Sequence, residues 1–309
     1  MTASLIIGDR NDSHVEAVVA VLEALGVEPP LMVDAPKLTT TPYTVTADHL
    51  TVDGITIETN NQGRGWLRRY APTLWGAGTV AGGLESARKR AFLSLVGSLS
   101  RTGNRQWLTT LESMLAAEDR LHQLHVVAGR GHRTPRTAVT SELADARRIL
   151  GDAFVVKPLA NGYYNTEDGP RAVFTAQLKP DDFDHVDFAD APFVVQEMIA
   201  TVEHLRVVTV KDRAWAASLN ADGRPLDWRE QDEAHSEWQP VHAPDVCAAA
   251  LDVAAHLRVG YTSQDWVRDR ADHPVFLDLN PGGQWLFLPD EVSAPVTDAI
   301  AMHLAGGDQ

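Results

Sequence analysis

A short apolar strand that carries two polar residues constrains the fold of this chain more than any other stretch. Residues 276–289 read FLDLNPGGQWLFLP, an alternating strand followed by a Pro-Gly-Gly break. Because side chains alternate between the faces of a strand, Asp278 and Asn280 share one face and the leucines beside them take the other. A carboxylate at the end of a buried strand is costly unless a positive charge neutralises it. Either an arginine or lysine side chain or a metal ion therefore has to lie beside Asp278.

The size and composition of the chain allow more than one compact unit. Its 309 residues are 44% hydrophobic, which is enough for two or three units with their own cores. No apolar run approaches the roughly 18 residues of a membrane-spanning helix. The first ten residues lack the basic segment of a secretion signal. The single cysteine, Cys247, excludes an internal disulfide framework and a cysteine-based zinc site. We therefore expect a soluble, cytoplasmic protein.

The net charge indicates which partners the chain avoids. A formal charge of −15 repels nucleic acid and anionic membranes, so we expect neither as a partner. An anion such as a nucleotide binds only where local arginines, lysines or a metal ion reverse this field. The 27 lysines and arginines are therefore the residues to follow in the search for a site.

Hydrophobic periodicity predicts an α/β unit at the N-terminus. Strands at residues 5–7 and 31–34 enclose an apolar-periodic helix over residues 13–26. Alternating threonine and apolar residues follow, and Asp53-Gly54 between two such runs is typical of a hairpin turn. A long helix is then predicted from residue 84 to residue 99.

The remainder of the sequence predicts two α+β units, because runs typical of strands alternate with a few helical patterns. Helices are predicted over residues 111–129, 141–151, 245–260 and 292–305. Strands are predicted over residues 133–141, 153–159, 171–178, 192–199, 205–219, 261–267 and 273–280, and a loop over residues 160–170.

Lys157 ends one of these strands and is followed by a glycine-bearing loop. A lysine in such a position usually closes a strand at the surface. The loop and the strand that returns from it also form a hairpin flap, which can fold over phosphate groups while the lysine supplies a point charge. The flap is not a Walker loop, since no GxxxxGK[ST] segment occurs. Surface residue and phosphate contact both stay open for Lys157.

A second strand leaves the predicted core as Gln196-Glu197-Met198-Ile199. Its extended backbone exposes N–H and C=O groups that can pair with the edge of an adenine, while Met198 and Ile199 pack on the face of the ring. An ordinary edge strand has the same pattern, so this segment alone does not decide between the two.

Further oxygen-bearing and cationic side chains complete the pattern. Arg206 lies in an alternating strand, where it either pairs with a neighbouring acid or faces an anion. Asp265, on another strand, can converge with Asp278 and Asn280 as a third oxygen donor. Magnesium prefers oxygen ligands and keeps waters and phosphates in its other positions. A lysine, a flap, a hinge and three oxygen donors, in this order along the chain, together predict a site for Mg²⁺ and ATP.

The order of these segments resembles that of the ATP-grasp ligases, from about Asn104 to Pro289. The resemblance is closest to the peptide-modifying branch, which includes the ligases that macrocyclise ribosomal peptides of the microviridin or graspetide type. Relatives of that branch add glutamate to a ribosomal protein. The motifs that carry the resemblance are RLHQL at 120–124, RTPRT at 133–137, VVKPL at 155–159, VVQEM at 194–198, LDWRE at 226–230 and FLDLNPGGQWLFL at 276–288. The last of these is long and specific.

The resemblance implies a site for the metal ion and the nucleotide. The implied magnesium ligands are Asp265, Asp278 and Asn280. Lys157 would contact phosphate, and Arg120 stands where the family usually has a lysine for the α-phosphate. Residues 196–199, Gln196 to Ile199, would form the adenine hinge. His204 stands where the family has its ribose-binding acid.

The resemblance also implies a substrate side. Arg229, in the Asp-Trp-Arg segment, would face phosphate and the activated acyl group, and Arg206 would hold the carboxylate or the acyl phosphate. Related ligases often carry paired arginines after a tryptophan that Trp75 resembles, whereas Gly-Ala-Gly follows Trp75 here. Trp285 is expected in the core behind the site rather than in contact with substrate.

The implied fold is α/β (α+β), an ATP-grasp fold in three parts. An N-terminal pre-ATP-grasp α/β domain is expected over residues 1–104. A central lid domain with the phosphate-covering flap would span residues 105–196. The C-terminal domain with the metal site would span residues 197–309.

The implied activity uses ATP and Mg²⁺ to activate a carboxylate as an acyl phosphate, which a hydroxyl or amine converts to an ester or amide. In the macrocyclising branch, both groups belong to one ribosomally made precursor peptide whose leader segment docks on the enzyme. Two alternatives stay open: an intermolecular ligase that adds an amino acid to a peptide or small acid, and a degenerate ATP-grasp protein that binds a peptide without catalysis. Similar enzymes are commonly dimers, so a homodimer is a candidate state.

Two further clusters have ordinary explanations. The basic run RGHRTPR, Arg130 to Arg136, is predicted to be a solvated loop rather than a surface for an acidic peptide. His122 and His125 lie three residues apart on a predicted helix, and we expect them to face solvent or helix packing rather than a metal ion.

Overall fold

The computed structural model describes residues 4–34, 37, 40–59, 62–71, 82–159, 163–166, 169–172, 175–179, 182 and 192–307, with only the backbone described at 163–166 and 169–172. The helices of this part of the chain are α1 (Ser13–Ala24), α2 (Leu84–Arg101), α3 (Leu111–Ala117), α4 (Arg120–Gly129), α5 (Leu143–Leu150), α6 (Pro244–His256) and α7 (Asp290–Ala305).

The strands in the described ranges fall into five sheets. They are β1 (Leu5–Gly8), β2 (Leu31–Asp34), β3 (Tyr43–Val45), β4 (His49–Val52), β5 (Ile55–Glu58), β6 (Arg64–Leu67), β7 (Gln106–Trp107), β8 (Thr137–Thr140), β9 (Phe154–Pro158), β10 (Tyr163–Thr166), β11 (Gly169–Ala172), β12 (Ala176–Leu178), β13 (Phe193–Glu197), β14 (Thr201–Val210), β15 (Arg213–Asn220), β16 (Gln239–Pro240), β17 (Tyr261–Asp269) and β18 (Pro274–Asn280).

A parallel sheet in the order β2-β1-β6-β7 forms the N-terminal part of the chain. The predicted first two strands and the helix between them are confirmed, with no end shifted by more than two residues. The side chain of Asp12 accepts a hydrogen bond of 2.9 Å from the backbone N–H of His14. Asp12 therefore caps α1, because a carboxylate there satisfies one of the free N–H groups of the first turn.

A three-stranded antiparallel sheet in the order β3-β4-β5 follows. The predicted turn lies between its last two strands, where Val52 pairs with Ile55. Asp53 and Gly54 both have positive φ, 50° and 80°. Two-residue hairpins require such angles when the turn follows the twist of the strands, so the predicted hairpin is confirmed.

The single helix predicted over residues 111–129 is wrong. Two helices, α3 and α4, occupy this segment and are separated at Glu118 and Asp119. Asp119 adopts an extended conformation, and its side chain accepts a hydrogen bond of 2.9 Å from the backbone N–H of His122. The aspartate starts a new helix because its side chain competes with the backbone for that donor.

A central antiparallel sheet in the order β12-β9-β13-β8 carries α5 on one face. The loop predicted over residues 160–170 is wrong in part, because β10 and β11 lie in and beside it as an antiparallel pair that joins Thr166 to Gly169. The strand predicted over residues 171–178 is accordingly divided between β11 and β12. Residues 160–162 and 167–168 of the predicted flap lie outside the described residues.

The C-terminal part contains a five-stranded antiparallel sheet in the order β16-β15-β14-β17-β18. The strand predicted over residues 205–219 is in fact two strands, β14 and β15, which turn at Lys211 with a φ of 54°. One face of this sheet packs on α6, with Leu205, Trp266 and Leu279 in a common core. The opposite face, which includes Val208, shares a second core with α7, α1 and Trp66 of β6. This second core joins the N-terminal sheet to the C-terminal one.

The alternation predicted for β18 holds only for its last three residues. Asp265 pairs with Asp278, but the next residue, Trp266, pairs with Phe276. The register therefore shifts by one residue at Leu277. Phe276, rather than Leu277, packs with Leu279 in the core against α6. Bulges of this kind re-aim the side chains beside them and are frequent next to active sites.

Within the described ranges, no helix has both the length and the apolar character needed to cross a membrane. The domain boundaries at residues 104 and 196 stay predictions.

Candidate functional site

Two carboxylates face each other at the end of the C-terminal sheet. Asp265 of β17 and Asp278 of β18 are directly paired, and Asn280 is paired with Ser263 in the same way. The side chains of Asp265 and Asp278 are 36% and 35% exposed, so both remain accessible from one side. The structure thus brings together two of the predicted metal ligands and places the third two residues further along the same strand.

The electrostatics at Asp278 indicate a site that needs a cation. Burial raises the pKa of the Asp278 carboxyl above its usual value, and Asp265 acts in the same direction. Arg120 and Lys157 oppose this shift without cancelling it. A divalent cation would favour both ionised carboxylates, because opposite charge stabilises the charged form.

The donors at this position fit magnesium. Two carboxylates and an amide supply only oxygen, which is the ligand type that Mg²⁺ prefers. Asn280 Oδ1 accepts a hydrogen bond of 2.9 Å from the backbone N–H of Gly282, which fixes the orientation of the amide. Among the described residues, no group of three or more His, Cys, Asp and Glu side chains could hold a metal. A three-ligand site here therefore depends on Asn280.

Arg206 lies beside this pair on β14. It is paired with Asp265 across the sheet, and its Nε lies 3.1 Å from Asp265 Oδ1. Its Nη1 donates a hydrogen bond of 3.0 Å to Ser263 Oγ, and its guanidinium carbon lies 5.6 Å from the centre of the Phe287 ring. Arg206 therefore pairs with an acid and also borders the site. Its contact with substrate stays a prediction.

Lys157 reaches the same site from the central sheet. Its strand, β9, pairs with the predicted hinge strand, where Lys157 faces Val194. Burial lowers the pKa of the Lys157 ammonium, Asp278 and Asp265 oppose the shift, and Arg120 and Arg229 add to it. Lys157 is half-buried and lies on the strand next to the predicted hinge. These charges favour a phosphate contact over a solvated end of a strand, and that role stays a prediction.

Arg120, the first residue of α4, lies between the central and C-terminal sheets. Its Nη1 donates a hydrogen bond to the backbone carbonyl of Pro158, one residue after Lys157. Its Nε lies 3.8 Å from Asp278 Oδ1. The guanidinium thus contacts the end of β9 and faces the carboxylate of β18.

The predicted hinge has side chains that are already paired. Gln196 is buried, and its Nε2 donates a hydrogen bond of 3.1 Å to Thr137 Oγ1. The Glu197 carboxylate accepts hydrogen bonds of 3.2 Å from both the backbone N–H and the Nε of Arg136. Met198 is exposed and Ile199 is half-buried. The backbone of Gln196 lies between Thr137 and Val155, and the Glu197 N–H donates to the carbonyl of Arg136 at 2.8 Å. The role of this segment as an adenine hinge stays a prediction.

His204 and Arg229 flank the site. His204 lies two residues before Arg206 on β14, where it pairs with Val267 of β17; burial lowers its pKa and Asp265 opposes the shift. Arg229 donates from Nε and Nη2 to the two oxygens of buried Asp227, at 2.7 and 2.6 Å. These hydrogen bonds raise the pKa of Arg229, and Asp265 and Asp278 act in the same direction. Asp227 therefore holds Arg229 beside the site through two hydrogen bonds. The Nη1 atom of Arg229 takes no part in either of them.

Gln123 is a residue that the sequence analysis missed. It is buried on α4, and its Nε2 donates to the carbonyls of Ala117 and Leu279 at 2.6 and 2.7 Å. Its Oε1 accepts a hydrogen bond of 2.9 Å from the N–H of Leu279. Leu279 lies between two of the predicted metal ligands, so Gln123 fixes the strand that carries them. The RLHQL motif was the available signal, but only its arginine was given a role.

A Gln123→Leu variant should lower the free energy of unfolding by about 2–4 kcal/mol, because both backbone groups of buried Leu279 lose their partner. Urea denaturation followed by far-UV circular dichroism measures this loss. His122→Leu, at an exposed neighbouring position of α4, is the matched control and should change stability little. Equal stability of the two variants would contradict the role assigned to Gln123.

The basic run from Arg130 to Arg136 is a largely exposed loop, as predicted, and its arginines form ion pairs. Arg130 donates to both oxygens of Asp252 at 3.0 Å, and Arg133 donates to Asp269. Arg136 pairs with Glu197, as described above. Each of the three arginines therefore has an acidic partner on a neighbouring element, and the run joins the central part of the chain to the C-terminal sheet.

Comparison with known proteins identifies the fold. No protein-family model and no curated protein sequence matches the chain. The solved RiPP-associated ATP-grasp ligase of Chryseobacterium gregarium, in complex with ADP and a leader and core peptide, matches with a TM-score of 0.85 at 18% identity, over 100% of this chain and 98% of its own. Macrocyclase MdnC from Microcystis aeruginosa, bound with precursor peptide MdnA, matches with a TM-score of 0.82 at 18% identity, over 98% and 99%.

A third match is the ATP-grasp ligase PsnB complexed with a phosphomimetic variant of a minimal precursor, Mg and ADP. Its TM-score is 0.75 at 18% identity, over 98% of this chain and 99% of that chain. The chain therefore has the ATP-grasp fold, and the predicted resemblance to the peptide-modifying branch is confirmed at the level of the fold.

Proposed function

We propose that this chain is a ligase that uses ATP and Mg²⁺ to join side chains within a ribosomally made precursor peptide. The observation that supports it is the convergence of paired acids with cations from three elements. Asp265 and Asp278 lie within electrostatic reach of Arg120, Lys157 and Arg229. Such a site suits a polyanion that carries a metal ion. Solved neighbours of the same fold contain ADP, Mg and precursor peptides.

The first step would activate a carboxylate of the peptide. One carboxylate oxygen attacks the γ-phosphorus of ATP, the bond to the β-phosphate oxygen breaks, and an acyl phosphate and ADP result. Lys157 and Arg120 would lie along the phosphates and spread the charge that develops there. Magnesium, when bound by Asp265, Asp278 and Asn280, would neutralise phosphate oxygens.

The second step would form the new link. A hydroxyl or amine of the same peptide attacks the acyl carbon, phosphate leaves, and an ester or amide forms. Arg206 would orient the acyl group from its fixed position beside Asp265. Arg229, fixed by Asp227, would direct its remaining donors at the departing phosphate. Most of the rate enhancement would then come from positioning and charge rather than from a covalent enzyme intermediate.

Incubation with Mg–ATP and a candidate precursor peptide tests this function. We expect ADP release that depends on the peptide, together with the loss of one water from the peptide mass per link formed. Treatment of the product with hydroxylamine then identifies the bond, because esters are cleaved and amides persist. Addition of an amino acid mass would instead favour an intermolecular ligase. Peptide binding without nucleotide binding at millimolar ATP would favour a degenerate binding protein.

A further inference from the structure

Two buried polar side chains of the N-terminal part, Arg68 and His14, contact the turn that follows Asn280, and Asp12 contacts both of them. Arg68, the residue after β6, is only 1% exposed. Its Nη1 donates to the carbonyls of Gly282 and Gly283 at 2.5 and 3.0 Å, and its Nε donates to Asp12 Oδ2 at 3.0 Å. A fully buried guanidinium is costly to desolvate unless its donors are used. Here Nη1 donates to the backbone of one turn and Nε to Asp12, while the buried Nη2 has no hydrogen-bond partner among the described residues.

His14 contacts the next part of the same turn. Its Nε2 accepts hydrogen bonds from the backbone N–H groups of Trp285 and Leu286, at 3.1 and 3.4 Å. Its Nδ1 lies 2.9 Å from Asp12 Oδ1. Since Nε2 is an acceptor, the ring is neutral and its proton is on Nδ1, where it is donated to Asp12. Asp12 thus orients both Arg68 and His14.

The turn itself has little freedom to move. Tyr261 donates a hydrogen bond of 3.0 Å from its hydroxyl to the carbonyl of Gly283. A Cβ on Gly283 would lie 2.5 Å from Ser263 Cβ, and one on Gly282 would lie 3.2 Å from the carbonyl oxygen of Arg68. The N–H of Gly282 in turn donates to Asn280 Oδ1. A continuous series of contacts therefore runs from Asp12 to the amide of Asn280.

We infer that Asp12, His14, Arg68 and Tyr261, here called the turn-contacting cluster, act as positioning residues for the amide of Asn280 and so set the affinity of the metal site. The inference rests on the proposed function, because it takes Asn280 as a ligand of Mg²⁺. Residues that orient the ligands of a metal ion contribute to its affinity, and their replacement commonly lowers metal affinity 10- to 100-fold. An N-terminal sheet that contributes no metal ligand would thereby control metal binding.

The experiment measures Mn²⁺ binding by electron paramagnetic resonance in the presence of ADP, on the full chain, alongside the Mg²⁺ concentration that gives half-maximal ADP release. Arg68→Met should raise the Mn²⁺ dissociation constant about 10- to 100-fold. Tyr261→Phe, which loses one hydroxyl and keeps its ring packing, should raise it about two- to tenfold. Tyr261→Phe decides the result if Arg68→Met does not fold.

Tyr70→Phe is the matched control, because the Tyr70 hydroxyl donates a similar hydrogen bond of 3.0 Å to the carbonyl of Leu93. It should leave metal affinity unchanged. A merely structural role for the cluster would lower thermal stability in Tyr261→Phe but leave its Mn²⁺ dissociation constant equal to that of the control, and that result overturns the inference. If the wild-type chain binds no Mn²⁺ with ADP, the proposed function fails first. If the wild-type chain binds Mn²⁺, and Asp278→Asn abolishes that binding while Arg68→Met and Tyr261→Phe bind Mn²⁺ like the control, the inference fails and the proposed function stands.

Discussion

Replacement of Asp278 with asparagine is expected to lower peptide-dependent ADP release about 1,000-fold, because a metal ligand that neutralises phosphate contributes several kcal/mol to the barrier. Asparagine keeps the size and one oxygen of the side chain but removes the charge that the cation requires. The paired residue, Asp265, cannot replace it alone, since the two carboxylates approach the site from adjacent strands. The measurement is the initial rate of ADP release at saturating ATP and precursor, over a series of Mg²⁺ concentrations.

Asp278→Asn should have a second, opposite effect on stability. Burial raises the pKa of Asp278, so the ionised carboxylate is less favourable in the folded chain than in the unfolded chain. Without metal or nucleotide, the variant should therefore melt at a temperature no lower than that of the wild type. Loss of activity with retained stability separates a functional carboxylate from one that the fold needs.

Asp272→Asn is the matched control for this experiment. Asp272 lies in the turn that joins the same two strands, and its side chain is 84% exposed. The control should retain the wild-type rate. If Asp278→Asn releases ADP at a rate within tenfold of the control rate, Asp278 does not hold the metal ion.

Replacement of Lys157 with methionine is expected to lower the same rate about 100- to 1,000-fold, which is typical for the loss of one fixed donor to a developing negative charge. Methionine matches the length of the lysine stem and removes only the ammonium. Arg120 lies next to the following residue, Pro158, but its guanidinium is already engaged with that carbonyl and with Asp278. The second cation is therefore not free to take over the position of Lys157.

The Lys157→Met variant should also keep its stability. Burial lowers the pKa of the ammonium, so the charged form gains nothing from folding at this position. Lys179→Met, at an exposed position just after β12, is the matched control and should leave ADP release unchanged. A Lys157→Arg variant should recover part of the rate, because the charge is restored with a different geometry. Equal rates of ADP release for Lys157→Met and the control would show that Lys157 does not act on the phosphates.

Local patterns in the sequence were sufficient for several elements. The Asp53-Gly54 hairpin follows from backbone angles that few residues adopt, and the shared face of Asp278 and Asn280 follows from strand alternation. Local patterns also predicted the first two strands and α1 correctly, because the conformation of each is determined by residues close to it in sequence. They failed at residues 111–129, where apolar periodicity continues across Asp119 although its capping side chain starts a new helix.

The tertiary structure alone decided how the site is assembled. The register shift at Leu277 sets Asp278 opposite Asp265, and neither residue's own sequence context requires it. Arg120 reaches that pair because α4 packs on β18, and the same side chain contacts the end of β9 beside Lys157. Arg68 donates to Gly282 across 214 positions of sequence. Alternation, capping and turn preferences are properties of a few adjacent residues and can be recognised in one sequence. Contacts between distant residues depend on the packing of every core between them, and only the folded chain determines those.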